Sequence, residues 1–136
     1  MIQPINHDQA FLSRPAKPAT PKDAAVIRDL QDTLRAHQDH CIGMAANMIG
    51  SNRRIIIAQL GPFAVPLVNP TIVAKSGPYT TTEGCLSLAG QRQTQRYQEI
   101  TVHYLDAQFH PQKQTFNDYF AQILQHEIDH CNGILI

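Results

Sequence analysis

The chain has no tryptophan and only three cysteines. It has no excess charge of either sign, because eleven Lys+Arg balance eleven Asp+Glu. That balance excludes the basic footprint by which nucleic-acid binders and binders of anionic membranes are recognised. Cys41, Cys85 and Cys131 are too few, and odd in number, for a disulfide framework. No export-type apolar run follows Met1, so they read as reduced thiols and point to the cytoplasm. No segment approaches the roughly 18 apolar residues of a membrane span. Charged residues are scarce, at 16% against 43% hydrophobic, which excludes a disordered chain. What remains, over residues 1–136, is one domain with a modest core.

Residues 1–22 are proline-punctuated and read as an extended arm laid over that domain. Thr20-Pro21-Lys22-Asp23 is a helix start, with threonine at the N-cap, proline at the first helical position and an acid where it complements the helix dipole. The helix is expected to run to about His40 on a stripe of Val26, Leu30 and Leu34, helped by Ile27. Cys41 to Met48 is a run of small and apolar residues. It reads equally as a tight connection or as a pocket wall where backbone approaches a ligand. Arg54 to Leu60 is a β-branched strand. Val65 to Pro70 and Thr71 to Lys75 read as short strands about a proline turn, and Tyr79 to Thr82 as extended. Ile100 to Leu105 alternates as a strand, and Asp106 to Lys113 reads as a polar turn. A last helix begins near Thr115 to Asp118 and stops at Asn132-Gly133, with Ile134 to Ile136 as a final short strand. The order predicts an α+β fold of antiparallel strands packed around the C-terminal helix.

That last helix contains His126-Glu127-Ile128-Asp129-His130, a His-Glu-x-x-His pattern. Two histidines four apart share a helix face and can bind one metal ion, and the glutamate between them can serve as general base. At about 100° per residue, with His126 as origin, His130 lies about 40° round and Glu127 about 100° round. Phe116, Tyr119, Phe120, Ile123, Leu124 and Cys131 fall in the same sector, so the pattern belongs to the buried stripe. A glutamate there is costly unless it is paired or has a chemical task. A catalytic site of this kind needs a third protein ligand, and none of the six residues after His130 is suited to the role. It must come from upstream. Glu83-Gly84-Cys85-Leu86-Ser87 is the best source, with Cys41 as the competing thiol.

Three stretches together resemble the motifs of the peptide deformylase family. Cys41 to Met48 resembles its Gly-x-Gly-x-Ala-Ala-x-Gln motif. Glu83 to Ser87 and Gln125 to His130 match its Glu-Gly-Cys-Leu-Ser and Gln-His-Glu-x-Asp-His motifs. The resemblance implies removal of the formyl group from N-terminal formyl-methionine of nascent proteins. It implies Cys85, His126 and His130 as ligands of one divalent ion, Fe(2+) or Zn(2+), with Ni(2+) in some members. Glu127 is then the general base and acid, and the backbone N–H of Leu86 an oxyanion donor. Gly43, Met48, Glu83 and Arg92 border the substrate, with Glu83 and Asp129 also supporting the ligands.

The chain departs from the family pattern in places. Met48 stands where the family's glutamine donates to the formyl oxygen, and a thioether cannot donate. Cys41 replaces the first glycine of its motif, and Ala89 the usual proline after the second. The chain closes at Ile136, so the C-terminal helix that contacts the ribosome in some members is not expected. These features resemble a short, divergent branch found in Gram-positive bacteria. They imply reduced deformylase activity or, as the alternative, a deformylase-like protein that binds metal and N-acyl peptides without turnover.

Overall fold

The helix start at Thr20-Pro21 is present in the computed structural model, which describes residues 1–136. The Asp23 carboxylate accepts from the Thr20 N–H at 2.9 Å, and Pro21–Asp23 forms a 3₁₀ turn. This turn leads into helix α2, Ala24–Ala36, which buries Ile27, Leu30 and Leu34. The helix stops four residues before His40. His37 caps it, its N–H donating to Leu34 O and its ring Nδ1 pairing with Thr33 O at 2.9 Å. The arm before it is not wholly extended, because Asp8 caps a single helical turn, α1, Gln9–Leu12, through its Oδ1.

Five antiparallel strands follow in simple succession, β1 (Gly43–Ala45), β2 (Ile55–Leu60), β3 (Phe63–Gly84), β4 (Gln91–Leu105) and β5 (Pro111–Asn117). Ile55 to Ala58 are all buried, so both faces of β2 are covered, as its unbroken apolar run demands. Helices α2 and α3, Asp118–Cys131, both pack on it.

The short strands expected between Val65 and Thr82 are one strand, β3. It passes Asn69-Pro70 through register shifts and changes partner there, pairing with β2 before the bend and with β4 after it. Asn69 makes the bend with φ +50°, and its amide bridges both backbone polar groups of Ala19 on the arm. β4 is also longer than expected. Its first half, Gln91 to Glu99, is polar because it forms an exposed ribbon with β3, and alternation against a core is missing there. The turn before β5 is confined to residues 106–110, tied by the Asp106 carboxylate to the N–H groups of Gln108 and His110.

Helix α3 packs against β1, β2, β4 and β5. Tyr119 and Phe120, expected in its buried stripe, are 58% and 39% exposed, and Tyr119 borders the open cavity instead of the core. Phe116 is buried, but in β5 and not in the helix. The C-terminus closes in a Schellman motif, with Gly133 N–H on His130 O and Ile134 N–H on Asp129 O. No strand follows. Arg54 holds the same helix end, donating to Asn132 Oδ1 at 2.8 Å and to Pro70 O at 2.8 Å.

Gly133 has φ +75°, and a Cβ there would meet Ser13 O at 2.5 Å. Gly133→Ala is expected to destabilise the fold by about 1–3 kcal/mol, read as a lower urea midpoint with an unchanged slope.

Candidate metal centre and substrate cavity

Gln125 sets the depth and rotation of α3. Its Oε1 accepts from Tyr97 N–H at 2.8 Å, and its Nε2 donates to Tyr97 O at 2.7 Å, so the side chain pairs with β4 as a neighbouring strand would. With the helix so held, His126, Glu127 and His130 face inward. β3 ends at Gly84, and the turn after it delivers Cys85 to the same place. Cys85 Sγ lies 3.2 Å from His130 Nε2, and one ligand atom from each of Cys85, His126 and His130 falls within 4.8 Å of the others. The upstream sulfur near the two histidines is that of Cys85. Cys41 instead donates its thiol to Gly43 O at 3.0 Å, and burial holds it protonated, pushed up to about 11.

His126 is oriented from behind. Its Nδ1 pairs with Glu83 Oε1 at 2.7 Å, which leaves Nε2 for the centre. Glu83 is gripped by Arg96, with Nη2 on Oε1 at 2.7 Å and Nε on Oε2 at 3.0 Å. Arg96 Nη1 reaches Asp129 Oδ2 at 2.6 Å, and Gln122 Nε2 adds a third donor to Glu83 at 3.0 Å. Burial pushes the Glu83 carboxyl up, but hydrogen bonds from His126, Arg96 and Gln122 together outweigh it and hold it at about 2. His130 is anchored through its backbone, where Asn47 Nδ2 donates to its carbonyl at 2.8 Å. Burial, then the neighbouring His126, pulls its imidazole down to about 3, so it is neutral as a metal ligand must be. Burial also lowers His126, but hydrogen bonds to Cys85 and Glu83 outweigh that and raise it to about 10. A thiol sulfur and two imidazoles backed by a carboxylate fit a transition metal.

Glu127 stands beside this cluster, 5% exposed, with Oε1 lacking any partner. Burial raises its carboxyl to about 7, close to the pH at which a general base is most useful. It is crowded against Gly43 on β1, where a Cβ would come within 2.8 Å of Glu127 Oε2. The small residues of Cys41 to Met48 therefore form a wall, and their bareness at Gly43 is what admits the glutamate. A cavity of about 460 Å³ opens over these groups, lined on this side by Cys41, Gly43 and Met48 and on the other by Cys85, Leu86 and Gln122. The fold gives the Leu86 N–H no partner. Met48 is 1% exposed, and its Sδ accepts from Ala45 N–H at 3.4 Å.

Arg92 does not line this cavity. It donates to Ala89 O at 3.2 Å and braces the turn after Cys85. Three residues of the site had no reading in the sequence: Arg96, Gln122 and Asn47. Arg96 left a faint signal, since two acids expected to support the ligands, Glu83 and Asp129, call for a cation.

Arg96→Met removes the guanidinium from two acids and leaves the buried Glu83 with only His126 and Gln122 as partners. It is expected to cost about 3–5 kcal/mol in urea unfolding, more than any exposed arginine of the chain.

Comparison with known proteins gives a consistent answer. The family described as polypeptide deformylase matches residues 2–136. A peptide deformylase of Clostridium beijerinckii is 52% identical over 136 residues, all of both chains. The crystal structure of a peptide deformylase from Legionella pneumophila superposes with TM-score 0.88 at 33% identity, over 99% of this chain and 83% of that one. A Met-Ala-Ser-bound class I type b peptide deformylase from Acinetobacter baumannii gives 0.89 at 28% identity, over 99% and 97%. Agreement of sequence from residue 2 to residue 136, and of fold over nearly the same span, makes this chain a member of the polypeptide deformylase family.

Proposed function

We propose that this chain hydrolyses the formyl amide at the N-terminus of formyl-methionyl peptides, releasing formate and a free amine. The single observation that carries this is the grouping of Cys85, His126 and His130 within 4.8 Å, with Cys85 and His126 lining a cavity that Glu127 also lines. These three residues hold the divalent ion that the family requires. The donor set suits Fe(2+) or Zn(2+), with Ni(2+) also compatible. When bound, the ion supplies Lewis-acid activation of water and polarisation of the formyl carbonyl.

Glu127 takes a proton from the attacking water and passes it to the leaving nitrogen, so it ends the cycle ionised as it began. The second water proton, released as formic acid ionises to formate, goes to the freed amine or to solvent. Its unpartnered Oε1 and near-neutral carboxyl support both roles. The free N–H of Leu86 donates to the oxygen that gains charge as the carbonyl becomes tetrahedral. Gly43 keeps the opposite wall open to the substrate backbone. The Met-Ala-Ser peptide bound to the Acinetobacter protein has the form of what such a reaction would leave behind, which supports a peptide substrate here. The setting is the cytoplasm, where nascent chains carry the formyl group. No helix is long and apolar enough to cross a membrane.

One observation favours a second reading. Met48 presents a buried thioether where a hydrogen-bond donor would aid the oxyanion, so binding without fast turnover is the alternative. Formate release from a formyl-Met peptide by anaerobically iron-loaded protein separates the two. Deformylase turnover is expected. Peptide binding by calorimetry without formate would establish the alternative.

Met48→Gln is expected to raise kcat/KM on the order of 10²-fold, the worth of one oxyanion donor. Glu127→Ala is expected to lower kcat at least about 10²-fold while leaving metal content stoichiometric. Gly43→Ala, which displaces the glutamate, is expected to cost about 10²-fold in kcat with only a small change in thermal midpoint. Chelation is expected to abolish formate release, and parallel reloading with ferrous iron, zinc and nickel ranks the ions by recovered rate.

A further inference from the structure

Gln122 stands one helical turn before His126, on the same face of α3, and lines the cavity. Its side chain makes one hydrogen bond, from Nε2 to Glu83 Oε2 at 3.0 Å. That bond fixes the sense of the amide. Glu83 is paired with Arg96, and an ionised carboxylate only accepts. The nitrogen must therefore face Glu83, and the amide oxygen must face away from it. No group of the protein donates to that oxygen. Around it the wall is mixed: Tyr119 lies a turn earlier on the helix, Thr82 beside Glu83 on β3, and Ile123 next along α3.

A peptide with its formyl amide at Glu127 carries the side chain of its first residue beside that amide. Gln122 lines the same cavity and stands one helical turn, about 5.4 Å, before His126, within reach of a side chain of methionine length.

We propose that Gln122 is a specificity-determining residue. Its pinned amide oxygen is a fixed hydrogen-bond acceptor on the cavity wall. It admits, beside methionine, formylated first residues whose side chains donate a hydrogen bond, and favours them over apolar residues of the same length. This inference rests on the deformylase reading above. Merely supporting Glu83 would be a different role with a different consequence, because it would alter turnover of every substrate alike.

The test compares kcat/KM for formyl-Gln-Ala-Ser and formyl-norleucine-Ala-Ser, with formyl-Met-Ala-Ser as control. The proteins are the metal-loaded wild type, Gln122→Leu and Gln122→Lys. Leucine offers neither donor nor acceptor. Lysine keeps a donor for Glu83 but presents no acceptor. The glutamine-to-norleucine ratio is expected to fall roughly three- to tenfold in both variants, the worth of one neutral hydrogen bond. Any slowing common to all three peptides, because each variant alters the donor to Glu83, cancels in the ratio. A ratio unchanged in both variants, or retained in Gln122→Lys, overturns the proposal. If the wild type cleaves no formyl peptide, including the methionine control, the deformylase reading fails instead. The same ratio is then read from calorimetric Kd values for Gln-Ala-Ser and norleucine-Ala-Ser. A shift in the variants supports the acceptor, and no shift overturns it.

Discussion

The buried pair of Glu83 and Arg96 is the interaction on which the rest of the site depends. Both side chains are more than nine-tenths buried, and two charges taken out of water carry a desolvation cost of several kcal/mol each. Geometry offsets that cost. The guanidinium meets the carboxylate through two parallel hydrogen bonds, and every remaining polar atom of the pair that the site uses finds a partner in His126, Gln122 or Asp129. The pair also joins elements far apart in sequence. Glu83 ends β3, Arg96 lies in β4, and Asp129 and His126 are on α3. A single network therefore sets the height of the ligand helix against the turn that carries Cys85. It also sets the tautomer of His126, which decides the nitrogen that faces the centre.

The opposite wall is built on the contrary principle, by leaving groups out. Gly43 has no side chain because Glu127 occupies the space one would need. The glutamate is left without a partner on one oxygen, and burial lifts its carboxyl towards neutrality. An unpaired buried acid is a liability to the fold and an asset to proton transfer. Next to it Met48 is packed to 1% exposure with its sulfur turned to the Ala45 N–H. The wall is therefore shaped as a family wall but is poorer in donors. Cys41 fits the same account, since its thiol is held protonated on a backbone carbonyl.

The two histidines of the candidate centre and the glutamate between them were legible in the sequence because their chemistry is local. Two histidines and a glutamate on one helix face follow from helical geometry alone, and the glycine beside Cys85 marks a turn that can present a sulfur. The α2 start was legible for the same reason, since capping is decided within four residues. The readings that failed all concerned reach. β3 was read as separate strands because Pro70 and Pro78 look like breaks, yet a strand can carry proline where a bulge or an edge leaves the N–H position unneeded. The first half of β4 went unread because an exposed ribbon has no apolar alternation to show. Tyr119 and Phe120 matched the wheel but are exposed, Tyr119 at the border of the cavity. Ile134 to Ile136, apolar enough for a strand, is used up by the helix-closing turn.

By itself, then, the sequence determined the α+β class, the helix that carries His126, Glu127 and His130, and the upstream origin of the sulfur that stands beside the two histidines. Each of these is set by periodicity, by capping or by the donor chemistry of single side chains. Only the tertiary structure decided which groups stand behind them. Arg96 lies thirteen residues from Glu83 and thirty-three from Asp129, and Gln122 thirty-nine from Glu83. No local rule links such positions. Their contacts exist because β3 bends at Asn69 and α3 is held against β4 through Gln125, bringing a strand end, a polar ribbon and a helix face to one point.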